Sequence, residues 1–376
     1  MRIYDLNRNF NHFLKTISIS QENRKDLLSV RKILRSELRK AFNENRDMYI
    51  TEAYDAILTK ASTQSIKPKF MSQGSFVYGT INYSCNPPSQ QMDLDDGIYI
   101  PLSYTDKLAD SFQQASQVIR TIIYNYIQDA CNAHQWVLHK KSKCLRVVIN
   151  KDSHIDLPIY SIPDKELSTI QENASLALLS KQGMNDVLPK YHKADDILLA
   201  TDNGWIESDP RDYLDKIEKI KQGDYRITFI EMSRYLKAWR DCRYPQDDSN
   251  LSSLAIMSGV YELISNPSFT QGENKALQLA YFVDGIKNLL FEQNGITDLT
   301  KNKIILKSSD CNLSLKNQLN NFYDVLNNAV QDGNSNHLSA QFGNRFPNEN
   351  SHIYASILAS KTAVNAAPVK LARDHL

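Results

Sequence analysis

Asp93, Asp95 and Asp156 are the side chains of this 376-residue chain whose types and spacing could do chemistry. The first two lie in Met-Asp-Leu-Asp-Asp-Gly at 92–97, the third in His-Ile-Asp-Leu-Pro at 154–158, and a Gln73-Gly74-Ser75 turn precedes them all. Alternate residues of a β-strand share a face, so Asp93 and Asp95 would project together, about 7 Å apart. A neighbouring strand carrying Asp156 would complete an oxygen-rich cluster. Such a cluster suits Mg²⁺, a hard cation that takes a few carboxylates and leaves its other positions to water and phosphate. The chemistry implied is nucleotidyl transfer, in which a sugar hydroxyl attacks the α-phosphate of a nucleoside triphosphate and pyrophosphate leaves. That reaction calls for two ions, one at the attacking oxygen and one at the leaving group. Asp93 and Asp95 would bridge the two Mg²⁺ ions, for which Mn²⁺ is the natural substitute. Asp156 would hold the ion on the nucleophile side and help take the hydroxyl proton. The Gly-Ser turn would offer close backbone approach and a hydroxyl to the triphosphate.

A lone Asp-x-Asp is common in surface turns and calcium loops, but the Gly spacing and the distal Glu of an EF-hand loop are both wrong here. Asp96 faces the other way and reads as a turn residue before Gly97. His154 reads as a packed or hydrogen-bonded strand residue. No phosphate-binding loop of the Walker type and no dinucleotide fingerprint competes with the acidic cluster.

The elements that must position these groups follow from periodicity. Residues 24–42 put Leu27, Val30, Leu34 and Leu38 on one face of a long amphipathic helix, with a basic face expected to be solvated. Strand-like runs occupy 68–72, 91–101, 136–140, 143–150 and 153–160, with a helical stretch near 107–133 and a loop at Pro87-Pro88. Beyond about 165 the pattern predicts helix. Asp209-Pro210 looks like a helix start, with Asp209 as cap. Phe229, Met232, Leu236 and Trp239 make a buried stripe, and Trp239 is expected in the core. Further helices are predicted near 253–265, 274–292, 313–331 and 350–364, followed by a mobile tail at 365–376. The domains expected are residues 1–165, N-terminal helices plus a mixed α/β core, and residues 166–376, a helical lobe, with the site in the cleft between them.

Composition narrows the function class. Lys+Arg 44 against Asp+Glu 43 gives a net charge of +1, which argues against a large non-specific nucleic-acid footprint. The five cysteines are scattered and form no CxxC pair, so neither a disulfide framework nor a zinc site is expected. With no apolar leader and no run of membrane-spanning length, a soluble cytoplasmic protein without membrane contact is expected.

These residues resemble the bacterial cGAS/DncV-like nucleotidyltransferases, within the polymerase-β-like superfamily. The resemblance runs from about 70 to 345. It is carried by Gln73-Gly74-Ser75-Phe76, Tyr78-Gly79-Thr80, the 92–97 run, His154 to Tyr160, Trp205 to Pro210, Lys237-Ala238-Trp239-Arg240-Asp241 and Phe342-Gly343-Asn344-Arg345. It implies an α+β fold, a polymerase-β-like core of mixed sheet and helices with a C-terminal helical lobe. It implies Asp93, Asp95 and Asp156 as catalytic metal ligands and Gln73, Gly74 and Ser75 at the triphosphate. Tyr78 and Arg146 would lie at a nucleotide, and Ser208 and Asp209 at the second nucleotide. Lys237 and Ser253 would hold donor phosphates, with Ser252 as a substitute for Ser253. Asp298 and Asp310 are both candidates for reading a guanine edge. The activity implied is synthesis of a cyclic dinucleotide from ATP and GTP, 3′,3′-cyclic GMP–AMP or a close relative. The setting implied is anti-phage (CBASS-type) defence, in a monomer with a possible operon-encoded regulator. A chain-extending transferase that does not cyclise, a different cyclic di- or trinucleotide product, and a non-catalytic nucleotide-binding scaffold are the competing readings.

Overall fold

The structure, a computed structural model, describes residues 3–43, 66–170, 197–220, 223–246, 249–300 and 303–347. The chain divides into two compact units, each assembled from separate stretches of sequence. Ile19–Ile81 and Gln91–Leu214 form a sheet unit; Met1–Ser18, Asn82–Gln90 and Asp215–Leu376 form a helical unit.

The first helix, α1 (Asn7–Thr16), belongs to the helical unit. The sheet unit begins with α2 (Gln21–Asn43), the amphipathic helix that the 3.6-residue spacing predicts, and Leu27, Val30, Leu34 and Leu38 are buried on it. Its basic face departs from the expected solvated surface, because Arg31 and Arg35 are buried as well. Arg35 donates to both oxygens of Asp96, at 2.7 and 2.5 Å, and Arg31 donates to Ser72 Oγ at 2.7 Å. Buried guanidinium groups are tolerated where they meet carboxylates and hydroxyls, and a periodicity reading has no view of such partners.

After α2 come β1 (Lys69–Gln73), the single-turn helix α3 (Gly74–Tyr78), β2 (Met92–Pro101), the short α4 (Leu102–Thr105) and α5 (Phe112–Ala133). Ser111 caps α5 by accepting from Gln114 N at 3.2 Å. Strands β3 (Val137–Lys140), β4 (Leu145–Asn150), β5 (Ser153–Leu157) and β6 (Ile159–Ile162) follow, and then β7 (Leu198–Thr201) and β8 (Gly204–Glu207). All eight form one mixed sheet in the order β3-β4-β5-β2-β6-β7-β8, with β1 antiparallel on β2. β5 and β6 both run parallel to β2, the first beside its acidic half and the second beside its apolar half. Pro158 separates them; lacking an N–H, it interrupts the ladder while its carbonyl accepts from Ile98 N at 2.9 Å. Tyr99 and Tyr160 stack at 4.9 Å in the core beneath the acidic end.

The helical expectation beyond 165 is corrected by β7 and β8, a hairpin that extends the sheet. Its turn, Thr201-Asp202-Asn203-Gly204, ends on a glycine at φ +106°, a turn composition that would have marked it. Helix α6 (Pro210–Glu218) starts at Pro210 as predicted, with Asp209 Oδ1 accepting from Arg211 N at 2.9 Å.

The helical unit continues with α7 (Asp224–Arg243), α8 (Ser253–Ser265), α9 (Lys275–Phe291), the two-stranded ribbon β9 (Gly295–Thr297) and β10 (Ile304–Lys307), α10 (Leu313–Asp332) and α11 (Asn336–Phe342). The ribbon is a second departure from an all-helical expectation. The stripe Phe229, Met232, Leu236 and Trp239 is fully buried; Trp239 stacks on Phe322 at 5.1 Å and donates to Gln341 Oε1 at 3.1 Å. The helix predicted at 350–364 and the tail predicted to be mobile lie outside the described residues. Among the described residues no helix is long and apolar enough to cross a membrane.

Candidate active site

The acidic positions are fixed by register. On β2, alternation turns Asp93 and Asp95 to one face and Asp96 to the other. The parallel pairing with β5 sets Asp93 opposite His154 and Asp95 opposite Asp156. Side chains opposite one another on neighbouring strands share a face. All three predicted acids therefore lie on one side of the sheet at its β2–β5 seam. One ligand atom each from Asp93, His154 and Asp156 lies within 4.8 Å of the others.

Asp95 sits against the turn between β1 and α3. Gly74 has φ +69°, and a Cβ at that position would overlap the Asp95 carboxylate. Glycine thus does two things here: it takes the left-handed conformation and it lets the carboxylate close onto the backbone. Thr80 N and Ile81 N both donate to Ser75 O, at 3.0 and 3.1 Å, and fold the chain back after α3. Tyr78 is buried beside Asp95; burial first, and then that carboxylate, push its phenol well above the usual range, against a backbone hydrogen bond with Gly74. Gln73 is opposite Asp95 on β1 and donates to Tyr160 Oη at 2.8 Å.

His154 was expected to be a packed or hydrogen-bonded strand residue, and it is both, but it also faces the acids. Gln91 Nε2 donates to the carbonyls of Asn150 and Lys151 at 2.9 and 3.2 Å, so its Oε1 is the atom 3.0 Å from His154 Nδ1. Nδ1 therefore carries a proton, and Nε2 is the ring nitrogen that points at the cluster. Nε2 lies 3.1 Å from Asp93 Oδ1 and 3.9 Å from Asp156 Oδ1. Both Nε2 and Asp93 Oδ1 are buried without a hydrogen-bond partner. Two lone pairs facing each other at this distance call for a positive charge between them, a proton or a metal ion. On that observation the donor set fits a divalent cation, with the carboxylate oxygens suited to Mg²⁺ or Mn²⁺.

Arg146, on β4 opposite Asp156, donates to both of its oxygens at 2.7 Å, and the carboxylate raises the already high pKa of the guanidinium. A bidentate arginine takes one lone pair from each oxygen and leaves the others for a further partner. Asp96, read from sequence as a turn residue, is instead a buried strand residue on the opposite face, held by Arg35 and by Ser72 Oγ at 2.8 Å.

The remaining predicted residues are placed as follows. Ser208, half-buried, donates through its N–H to Ile197 O at 3.1 Å, and Asp209 is engaged by Arg211, whose Nη2 is 2.7 Å from Oδ2. Both belong to the sheet unit. Lys237 and Ser253 belong to the helical unit. Lys237 is buried on α7 rather than standing at an exposed helix edge. Ser253 opens α8 and accepts from Arg240 at 3.1 Å, while Ser252 is the cap, accepting from Ala255 N at 3.1 Å. Asp298 accepts from Thr300 N at 2.7 Å within its own turn, and Asp310 accepts from Lys307 N at 3.1 Å. The sheet unit thus gathers Gln73, Gly74, Ser75, Tyr78, Asp93, Asp95, Arg146 and Asp156 around one seam. His154 and its orienting Gln91 are the members that sequence reading missed; the signal available was that His154 sits two residues before Asp156 and so shares its face.

Residues 68–160 match the family described as cyclic GMP-AMP synthase DncV-like, nucleotidyltransferase domain. A cyclic GMP-AMP synthase of Escherichia coli is 28% identical over 225 residues, 54% of this chain and 48% of that protein, so the chain spans about half the length of this curated relative. A cyclic GMP-AMP synthase of Vibrio cholerae is 25% identical over 321 residues, 70% of each chain. Among solved structures, the Vibrio cholerae DncV cyclic AMP-GMP synthase in complex with the linear intermediate 5′ pppA(3′,5′)pG has a TM-score of 0.72 at 20% identity, covering 93% of this chain and 98% of that one. The GTP-bound form has a TM-score of 0.72 at 18% identity, with coverage of 93% and 98%. At such identities the structural likeness is one of fold. The sequence match is centred on the strands that carry the acidic cluster: residues 68–160 match a DncV-like nucleotidyltransferase domain, and the sequence relatives and the shared fold support a bacterial cGAS/DncV-like nucleotidyltransferase.

Proposed function

We propose that this chain is a cyclic dinucleotide synthase that joins ATP and GTP into 3′,3′-cyclic GMP–AMP or a close relative. The observation that carries the reading is the register that sets Asp95 beside Asp156 and Asp93 beside His154, with two unpartnered buried atoms turned toward each other. Asp93, Asp95 and Asp156 would hold a pair of Mg²⁺ ions, which when bound neutralise triphosphate charge and lower the pKa of the attacking hydroxyl. Gly74 lets the Asp95 carboxylate close on the turn, and Gln73 and Ser75 present an amide and a hydroxyl to phosphate oxygens. Arg146 keeps the plane of the Asp156 carboxylate fixed, so alignment is set before substrate arrives. Lys237 and Ser253 supply a cation and a hydroxyl for donor phosphates, and Ser208 and Asp209 meet the second nucleotide. Once aligned, the 3′-oxygen of one nucleotide forms a bond to the α-phosphorus of the other as the bond to pyrophosphate breaks. A second round on the linear product closes the ring. Such catalysis is mostly positioning and charge stabilisation. In the cell the product would act as a second messenger of anti-phage defence, made by a cytoplasmic monomer.

Incubation with labelled ATP and GTP, followed by phosphatase and mass spectrometry, tests this. A phosphatase-resistant dinucleotide is expected, because a ring has no terminal phosphate. It should vanish in the Asp93→Ala, Asp95→Ala double variant while the circular dichroism spectrum is retained. Phosphatase-sensitive chains would instead support the non-cyclising transferase, and full turnover by the folded double variant would remove the acids from the site.

A further inference from the structure

The helical unit holds a second cluster of reactive side chains, unrelated to the acidic seam. Cys85 lies in the segment Asn82–Gln90, and Cys242 lies near the C-terminal end of α7. Hydrogen bonds on either side of Cys85 clamp that segment onto α7. Asn82 Nδ2 donates to Arg234 O at 2.9 Å, and Arg234 Nε returns a bond to Asn82 Oδ1 at 2.9 Å. Asn86 Nδ2 and Gln90 Nε2 both donate to Asp241 O, each at 2.9 Å, one peptide before Cys242. Between these anchors each thiol is the largest influence on the other's proton affinity, and both residues are half-buried. Arg345 completes the cluster: it donates to Tyr83 O at 3.3 Å and to Ala238 O at 3.0 Å, and its Nε is buried with no hydrogen-bond partner.

We propose that Cys85 and Cys242 are a peroxide-responsive, reversible disulfide site, with Cys242 as the attacking sulfur, Cys85 as the resolving sulfur and Arg345 as the residue that positions charge beside them. The proposal is independent of the nucleotidyl-transfer reading. The neighbouring Cys85 lowers the Cys242 thiol to about 7, with the Arg345 and Arg243 charges adding to it against burial, while Cys242 in turn pushes Cys85 up. The division of labour follows, since the thiolate is the nucleophile. Cys242 sulfur forms a bond to one oxygen of a hydroperoxide as the O–O bond breaks, giving a sulfenic acid and, after protonation, water or an alcohol. Cys85 sulfur then attacks Cys242 sulfur; the S–S bond forms, the S–O bond breaks, and the leaving hydroxide takes the Cys85 proton as water. Two thiols are oxidised by two electrons and one peroxide is reduced. A dithiol reverses the step by exchange. The bridge would fasten to α7 the segment that joins α3 to β2.

The test treats the reduced full-length protein with stoichiometric hydrogen peroxide, then maps peptides under non-reducing conditions. A Cys85–Cys242 linked peptide two hydrogens lighter than its parts is expected, lost on adding dithiothreitol. Cys85→Ser should stop at a sulfenic acid on Cys242, trapped by dimedone, and Cys242→Ser should give neither the link nor an adduct at Cys85. Arg345→Met should move the midpoint of Cys242 alkylation upward in pH from about 7. The proposal is overturned if both thiols stay alkylatable after peroxide, if the link joins other cysteines, if mixed light and heavy chains give a hybrid link, or if the alkylation midpoint does not move.

Discussion

Asp95 and Asp96 are neighbours in sequence, yet Asp96 is sealed against Arg35 and Ser72 while Asp95 lies against Gly74. The strand's alternation makes that separation, and it was legible: a period of two assigns Asp93 and Asp95 to one face without coordinates. What occupies the far face was not legible, because Arg35 is 61 positions away from Asp96 and belongs to the basic face of an amphipathic helix, a face that reads as solvated. The pairing of Arg146 with Asp156 was hidden for the same reason, since it depends on the register of two antiparallel strands. It also leads to a measurable consequence. Arg146→Met leaves the Asp156 carboxylate without its cation in a nearly buried setting, and the half-open arginine tempers the cost to about 1–3 kcal/mol. The melting temperature should fall, and millimolar Mn²⁺ should restore more of it in the variant than it adds to the parent chain. Equal Mn²⁺ stabilisation of both proteins would mean that Asp156 does not share its lone pairs with a metal.

At the scale of elements, the β1–α3 turn couples backbone geometry to the site. Gly74→Ala must adopt a left-handed conformation that costs an alanine about 1–2 kcal/mol, and its Cβ would displace the Asp95 carboxylate. Thermal unfolding should register the strain, and titration with Mn²⁺ and a non-hydrolysable triphosphate should register weakened binding. Retention of both affinity and stability would mean that the close contact between Gly74 and Asp95 is dispensable. Among elements, long ones with strong periodicity were read correctly: α2, α5, α8, α9 and α10 begin and end within a few residues of their predicted bounds, the start of α5 excepted. The short strands β7 to β10 were not read, because three or four residues are too few for a period to emerge and their pairing is non-local.

For the whole molecule, the pH dependence of stability should carry a mark from Glu218, which sits at the end of α6. Burial raises its carboxyl from the usual 4.5 to about 7, with Arg226 opposing and Asp215 adding. A folded-state value above the unfolded one means that the folded chain binds the extra proton between pH 4.5 and 7. Stability from this group is therefore present below that window and is lost as the pH rises through it. Glu218→Gln should leave stability at pH 4 nearly unchanged and raise it at pH 8 by about 1 kcal/mol, a figure reduced for solvent screening of a half-exposed group. Chemical denaturation at the two pH values checks it, and an equal effect at both would remove the carboxyl's ionisation as the cause.

At this scale too, the expectation that three aspartates from distant positions meet on one side of a sheet is met by the register of β2 and β5. Whether they hold metal is answered most directly by crystals soaked with Mn²⁺ and a non-hydrolysable triphosphate. Anomalous difference peaks are expected within coordination distance of Asp93, Asp95 and Asp156 and beside the phosphates. Bound triphosphate with no anomalous peak at those three carboxylates would contradict the account.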